Sequence, residues 1–179
     1  PVSGKRWEAS LPLEEIAALF EDDRRCGRGG AVTADSYHIT APEPEGLGAS
    51  RAVLQALAQA DASVDDVTHI NAHATSTPTG DIAEYKALLS VFGDRVHEIP
   101  VSATKGSTGH LLGGTGALEA VFTVLALHNR IAPPTINITE QDPEIPLRVG
   151  AAVELGDGDH VAISNSFGFG GHNAVAAFR

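Results

Sequence analysis

Cysteine is almost absent from this 179-residue chain: Cys26 is the single one. Neither an internal disulfide nor a cysteine-rich zinc site can form within it. No apolar run approaches the ~18 residues that a membrane helix needs, and the opening PVSGKRWEAS has no apolar stretch of signal-peptide type. No membrane span is expected, and a cytoplasmic location is the default. Positive charge is also scarce, with 12 Lys and Arg against 23 Asp and Glu and a net charge of −11. That balance argues against a nucleic-acid partner, which needs a basic face. A Walker-type phosphate loop is missing as well.

What is present suits a packed domain. Hydrophobic residues make up 42% of the chain, enough for a core in one domain or in one half of a larger unit. Five of the twelve basic residues (Lys5, Arg6, Arg24, Arg25, Arg28) lie in the first 28 positions. They form either a solvated charge run or a patch for an acidic partner. Leu13, Ile16, Ala17 and Phe20 recur at helical spacing after Pro12, which predicts a short amphipathic helix. The glycines from Gly27 to Gly30 break it. Residues 1–30 therefore read as an N-terminal arm, and 31–179 as the domain.

Helical and strand patterns alternate across the domain. Helices are expected over 50–60, 81–92 and 116–129, and strands over 67–72, 99–103, 152–154, 160–164 and 174–178. This alternation predicts an α/β layered sheet. The segment GALEAVFTVLALHN is nearly all apolar, so its helix should be buried on most sides. Asp81 should cap the helix that it opens.

Three polar loops, rich in Gly or Thr, follow or join these strands: NAHATSTPTGD (71–81), SATKGSTGHLLGGTG (102–116) and SNSFGFGGHN (164–173). Sites in open α/β sheets gather at the carboxyl ends of strands, which places the three loops near one another. Taken singly, a histidine such as His73 at a strand end is more often structural than catalytic. Three hydroxyl residues, Thr75, Ser76 and Thr77, follow it and suit an extended polar ligand. Gly106 and Gly109 let Lys105 and His110 turn into one cavity. Two histidines without an acidic cluster leave a zinc site short of ligands, so no metal is expected. Glycines around Phe169 either aim an N–H at a reacting oxygen or simply make a tight turn.

Together with PPTIN (133–137) and TADSYHITAPEPEG (33–46), these loops, in this order and spacing, resemble the C-terminal half of a β-ketoacyl-ACP synthase, the elongating condensing enzyme of fatty acid synthesis. The resemblance runs from about Thr33 to Phe178 and implies a thiolase-like layered α/β fold. KGSTGH stands where polyketide synthase modules typically have KSNIGH, and Ala74 where they usually have Gly. Both favour the fatty acid type.

The resemblance implies roles residue by residue. His73 and His110 would be the histidines of a Cys-His-His site, donating to the enolate left when malonyl-ACP loses carbon dioxide. Lys105 would orient that region, paired with Glu119. Thr75 and Thr77 would bind the phosphopantetheine arm of the acyl carrier protein, so the chain needs no cofactor of its own. Phe169, with Gly170 and Phe167 in the same loop, would gate the site and lend its N–H to a thioester oxyanion hole. Asp35 would lie on the facing loop. The family's nucleophile is a cysteine in a TACASS-like motif of the N-terminal half. No such motif occurs here, and Cys26, in DDRRCGRGG, lacks its context. Residues 1–30 do not fit the pattern either. The expectation is therefore the decarboxylating portion of a 3-oxoacyl-ACP synthase, inactive alone and completed by the N-terminal half or a partner chain, with a dimer as the complete enzyme. The alternative is a non-catalytic ketosynthase partner subunit of the chain-length-factor kind.

Overall fold

The structure is a computed structural model that describes residues 28–179 and, before them, Glu14, Glu15, Ala17 and Ala18, which are helical. Of the expected N-terminal helix, Leu13, Ile16 and Phe20 lie outside the described residues, as do Lys5, Arg6, Arg24, Arg25 and Cys26.

Alternation of strand and helix builds one mixed sheet. Its strands are β1 (Gly29–Ala34), β2 (Val67–Asn71), β3 (Val101–Ser102), β6 (Val161–Gly168) and β7 (His172–Phe178), in the order β1-β7-β6-β2-β3. β2 runs parallel to β3 and β6, while β7 runs antiparallel to both β6 and β1. A second pair, β4 (Ile131–Ala132) with β5 (Val153–Glu154), is antiparallel. The helices are α1 (Leu47–Gln59), α2 (Pro78–Phe92), the single turn α3 (Lys105–Thr108) and α4 (Thr115–Asn129).

The two faces of the sheet differ because the strand side chains alternate. Ile70, Val101, Ile163, Val175 and Ala177 point to one face and join Val53, Ala56 and Leu57 of α1 and Leu88 and Phe92 of α2 in the apolar core. The opposite face is polar yet buried. His69 and Asn71 of β2, Ser102 of β3 and Ser164 of β6 lie there. α4 crosses this face, with Glu119 and Thr123 turned inward.

Three sequence expectations need adjustment. β1 starts at Gly29, inside the glycine run read as a helix break. Gly29 fits there because a Cβ would collide with the Ala56 carbonyl, so α1 can pack close to the strand. α2 starts at Pro78 with Thr77 as its N-cap, not at Asp81. Proline suits a first helical turn because it has no N–H to leave unpaired. The third loop is mostly strand: β6 continues to Gly168 and β7 begins at His172, which leaves a turn of three residues.

α4 is buried on one side rather than most. Thr115, Glu119, Thr123, Val124, Leu125 and Ala126 are buried, whereas Leu118, Val121 and Phe122 are only partly covered and Ala117 is exposed. Among the described residues, the main packing partners of α4 are β6, β4 and the short turn 112–114 that precedes it, with no extensive contact to α1 or α2.

Candidate active site

The carboxyl ends of β2, β3 and β6 bring the three motif loops together, as the sheet rule requires. They line a cleft of about 780 Å³ whose walls include His73, Thr75, Thr77, His110, Phe167 and Phe169. His73 and His110 meet edge to face, with ring centroids 5.6 Å apart and planes at 85°. Phe167 also packs on His73, with ring centroids 5.6 Å apart and planes at 59°.

The hydrogen bonds of His110 fix its tautomer. Leu112 N–H donates to Nδ1 at 3.2 Å, and the Thr115 hydroxyl reaches the same atom at 3.0 Å. A nitrogen that accepts a backbone N–H carries no proton, so neutral His110 holds its proton on Nε2. His73 Nδ1 is buried without a partner among the described residues, which leaves Nε2 as its outlet to the cleft. Burial, then the Lys105 charge, then His110 push the His73 pKa down to about 3. His73 is thus a neutral imidazole at physiological pH.

Lys105 does not line the cleft. It lies behind the histidine pair, its Nζ 2.6 Å from Glu119 Oε1, with side chains only 6% and 1% exposed. Thr104 donates to the same oxygen at 3.2 Å. Burial raises the Glu119 pKa, and Lys105 and Thr104 oppose that rise by bonding to the charged form. The Glu119 carbonyl accepts bonds from Asn71 Nδ2 and Thr123 Oγ1.

One determinant escaped the sequence reading: Glu84, on α2. Its fully buried carboxylate accepts from His73 N (2.9 Å), Ala74 N (2.8 Å) and Asn165 Nδ2 (3.0 Å). These bonds hold a strained turn in which Ala74 has φ 37° and Ser76 φ 62°. Burial pushes the Glu84 pKa up, against the three donors. No sequence pattern marks Glu84, because α2 is too weakly amphipathic for its inward side to stand out.

The remaining residues fall into place around the cleft. Thr75 and Thr77 share a hydroxyl–hydroxyl bond of 3.2 Å on its wall, while Ser76 lines a separate cavity behind them. Asp81 is not a cap; burial raises its pKa, and the Ser76 and Thr77 amides pull it back. Phe169 sits at the hairpin tip, 78% exposed. Gly170 and Gly171 follow with φ of 81° and 73°, values open to glycine. The Gly170 N–H is not free for a ligand, because it donates to the Ile39 carbonyl at 2.9 Å. Asp35 ties the facing loop to the hairpin: Oδ1 accepts from Asn173 (2.7 Å), Oδ2 from Glu43 N (3.0 Å), and its N–H donates to Gly171 O (2.9 Å). No cluster of three His, Cys, Asp or Glu able to hold a metal occurs among the described residues.

The sequence and fold of this chain recur in known proteins. The model of the β-ketoacyl synthase C-terminal domain matches residues 26–139. The chain is 48% identical over 172 residues to 3-oxoacyl-(acyl-carrier-protein) synthase 2 of Synechocystis sp., an alignment covering 94% of this chain and 41% of that protein. It is also 48% identical over 152 residues to the synthase 2 of Staphylococcus aureus, covering 84% of this chain and 36% of that one. The chain thus spans about two fifths of the length of these curated relatives. The Synechocystis alignment covers so much of the chain that it enters the first 30 residues. Among solved structures, a β-ketoacyl synthase from Burkholderia phymatum superimposes with TM-score 0.78 at 35% identity, covering 93% of this chain and 40% of that one. The ishigamide ketosynthase/chain length factor does so with TM-score 0.79 at 34% identity, covering 93% and 40%.

Proposed function

The chain belongs to the β-ketoacyl synthase family through its C-terminal domain, and from that premise we propose that it forms the decarboxylating side of a 3-oxoacyl-ACP synthase active site. The observation that carries this is the perpendicular pair His73 and His110 on one cleft, both with Nε2 as the outward ring nitrogen. Their task is electrostatic. When the malonyl thioester loses carbon dioxide, the electron pair of the broken C–C bond moves into the Cα–C bond, and negative charge grows on the thioester oxygen. Preplaced N–H donors in a site of limited water stabilise that charge most where it develops. His110 Nε2–H supplies one donor, and neutral His73 supplies the second through Nε2. The carbanion then attacks the carbonyl carbon of an acyl thioester; the new C–C bond forms, the C–S bond breaks, and the thiolate of a cysteine outside this chain's motifs leaves.

Thr75 and Thr77 offer adjacent hydroxyls on the cleft wall for the pantetheine amides. Phe169, exposed at the hairpin tip, is the gate of the cleft in this reading, and Asp35 couples the facing loop to the same hairpin. Acyl carrier protein is the proposed substrate carrier. The N-terminal half, or a partner chain supplying it, is the proposed complement, within a dimeric enzyme of the cytoplasm that needs no cofactor of its own. The alternative is a non-catalytic partner subunit, and the likeness to a ketosynthase/chain length factor structure is what favours it. Retention of both histidines and the Lys105–Glu119 pair weighs against it.

The test incubates the chain, completed with an N-terminal half, with malonyl-ACP in the presence and absence of a long-chain acyl-ACP. Release of carbon dioxide supports the condensing reading. No release under either condition would leave the partner-subunit reading standing in its place.

A further inference from the structure

The PPTIN motif has no part in the chemistry above, yet it is fastened to the segment that carries Lys105. After β4 the chain runs as a strap, residues 133–137, alongside residues 102–106. Four contacts join them. The Ser102 hydroxyl donates to the Pro133 carbonyl at 2.7 Å. Ala103 N–H donates to the Thr135 hydroxyl at 2.9 Å. Asn137 Nδ2 donates to the Gly106 carbonyl at 2.9 Å. Gly106 itself lies so near Ile136 that a Cβ would come within 2.9 Å of the Ile136 carbonyl. The strap is anchored in turn through Thr135 N–H to the Gly150 carbonyl at 2.9 Å. Asn137 has φ 66°, a left-handed conformation that Asn tolerates better than most residues.

These contacts bracket Thr104 and Lys105, the two residues that reach Glu119 Oε1. An ammonium group removed from water depends on good geometry with its partner, because the loss of hydration is recovered only in a well-formed pair. The α3 turn is one turn long and too short to fix that geometry alone. We propose that Thr135 and Asn137 are positioning residues, whose hydrogen bonds hold the Lys105 turn against Glu119 and so keep the ammonium charge in place behind His73. This role rests on the condensing reading, since only there does the charge behind His73 have a task.

The test uses the chemistry of the lysines, of which the chain has three: Lys5, Lys86 and Lys105. Acylation of each amine in the full chain by acetic anhydride is followed by peptide mass spectrometry, with the half-exposed Lys86 as internal reference. The variants are Thr135→Val, Thr135→Ser and Asn137→Gly. Valine keeps the shape and loses the acceptor; serine keeps the acceptor; glycine keeps the positive φ and loses the donor. A hydrogen bond worth about 1 kcal/mol corresponds to roughly fivefold faster Lys105 labelling. That increase is expected in the Val and Gly variants relative to Lys86, with the Ser variant matching the parent. Equal labelling of Lys105 in the parent, Val and Gly forms would overturn the proposal, and so would a Ser variant that behaves like Val. If valine unfolds the chain, Lys86 and Lys105 label alike, and the Gly variant decides. Malonyl-ACP decarboxylation is read in parallel on the completed protein, with kcat expected to fall while KM holds. A parent that releases no carbon dioxide but keeps the labelling pattern would remove the condensing reading and leave the strap intact.

Discussion

Replacing Glu84 with glutamine keeps the shape of the side chain and changes one acceptor into a donor. The carboxylate accepts three N–H groups at 2.8–3.0 Å. In Glu84→Gln, the amide oxygen can face His73 N and Asn165, but its NH₂ then opposes Ala74 N–H. Hydrogen bonds to a charged group are worth roughly 1.5–3 kcal/mol, and leaving a buried N–H unpaired costs about 1–3 kcal/mol. The neutral amide is easier to bury than a carboxylate whose pKa burial has already raised, which offsets part of the loss. The net expectation is a destabilisation of about 2–4 kcal/mol. With a urea m-value of about 2 kcal/mol per molar, the midpoint falls by roughly 1–2 M. The Ala74 turn relaxes from its strained φ, and His73 loses its aim. Decarboxylation of malonyl-ACP by the completed protein should then fall by more than the stability loss explains, at temperatures where the variant is fully folded. A variant with an unshifted midpoint and the parent's rate would refute the claim that Glu84 sets the His73 turn.

Three further outcomes follow from the same geometry. Glu119→Leu leaves the Lys105 ammonium buried and unpaired, at a cost of about 3–5 kcal/mol; adding Lys105→Met should recover most of that stability without recovering decarboxylation, as urea midpoints and carbon dioxide release would show. His69 is fully buried, donates from Nε2 to Ser102, and has a pKa lowered by burial to about 4, below its ordinary 6.5. The unfolded chain therefore binds a proton between pH 6.5 and 4 that the folded chain refuses. Stability should fall across that window by roughly 2–3 kcal/mol from this group, and His69→Gln should flatten the fall; parallel profiles for parent and variant would contradict it. The half-covered face of α4, with Leu118, Val121 and Phe122, should make the isolated chain self-associate; a monodisperse monomer with a cooperative melt in light scattering and calorimetry would show that the face needs no cover.

Much of this site was legible because its loops carry rare residue strings. His73, His110, Thr75 and Thr77 follow strand ends and are flanked by glycines or hydroxyls, so their placement on one cleft follows from the sheet rule alone. The Lys105–Glu119 pair came from the family resemblance; that a glutamate in an apolar helix needs a partner agrees with it without naming Lys105. That reasoning did not show that the pair sits behind the cleft rather than on it, because depth depends on how α4 crosses the sheet. Glu84 was missed because two of its three partners are backbone N–H groups, which have no sequence signature, and the third, Asn165, lies 81 residues away in the chain. β1 was missed because Gly29 and Gly30 read as breakers, while the packing of α1 needs a strand position without a side chain at Gly29. The polar inner face of the sheet was also hidden, since His69, Asn71 and Ser102 look like ordinary loop-flanking residues until α4 covers them.

The central claim is that His110 Nε2–H donates to the charge formed on loss of carbon dioxide. Single-turnover release of carbon dioxide from malonyl-ACP, by the completed protein with and without His110→Ala, tests it most directly. Loss of such a donor costs on the order of 10²-fold or more in rate, with malonyl-ACP binding little changed. Release at the parent's rate in the alanine variant would contradict the account.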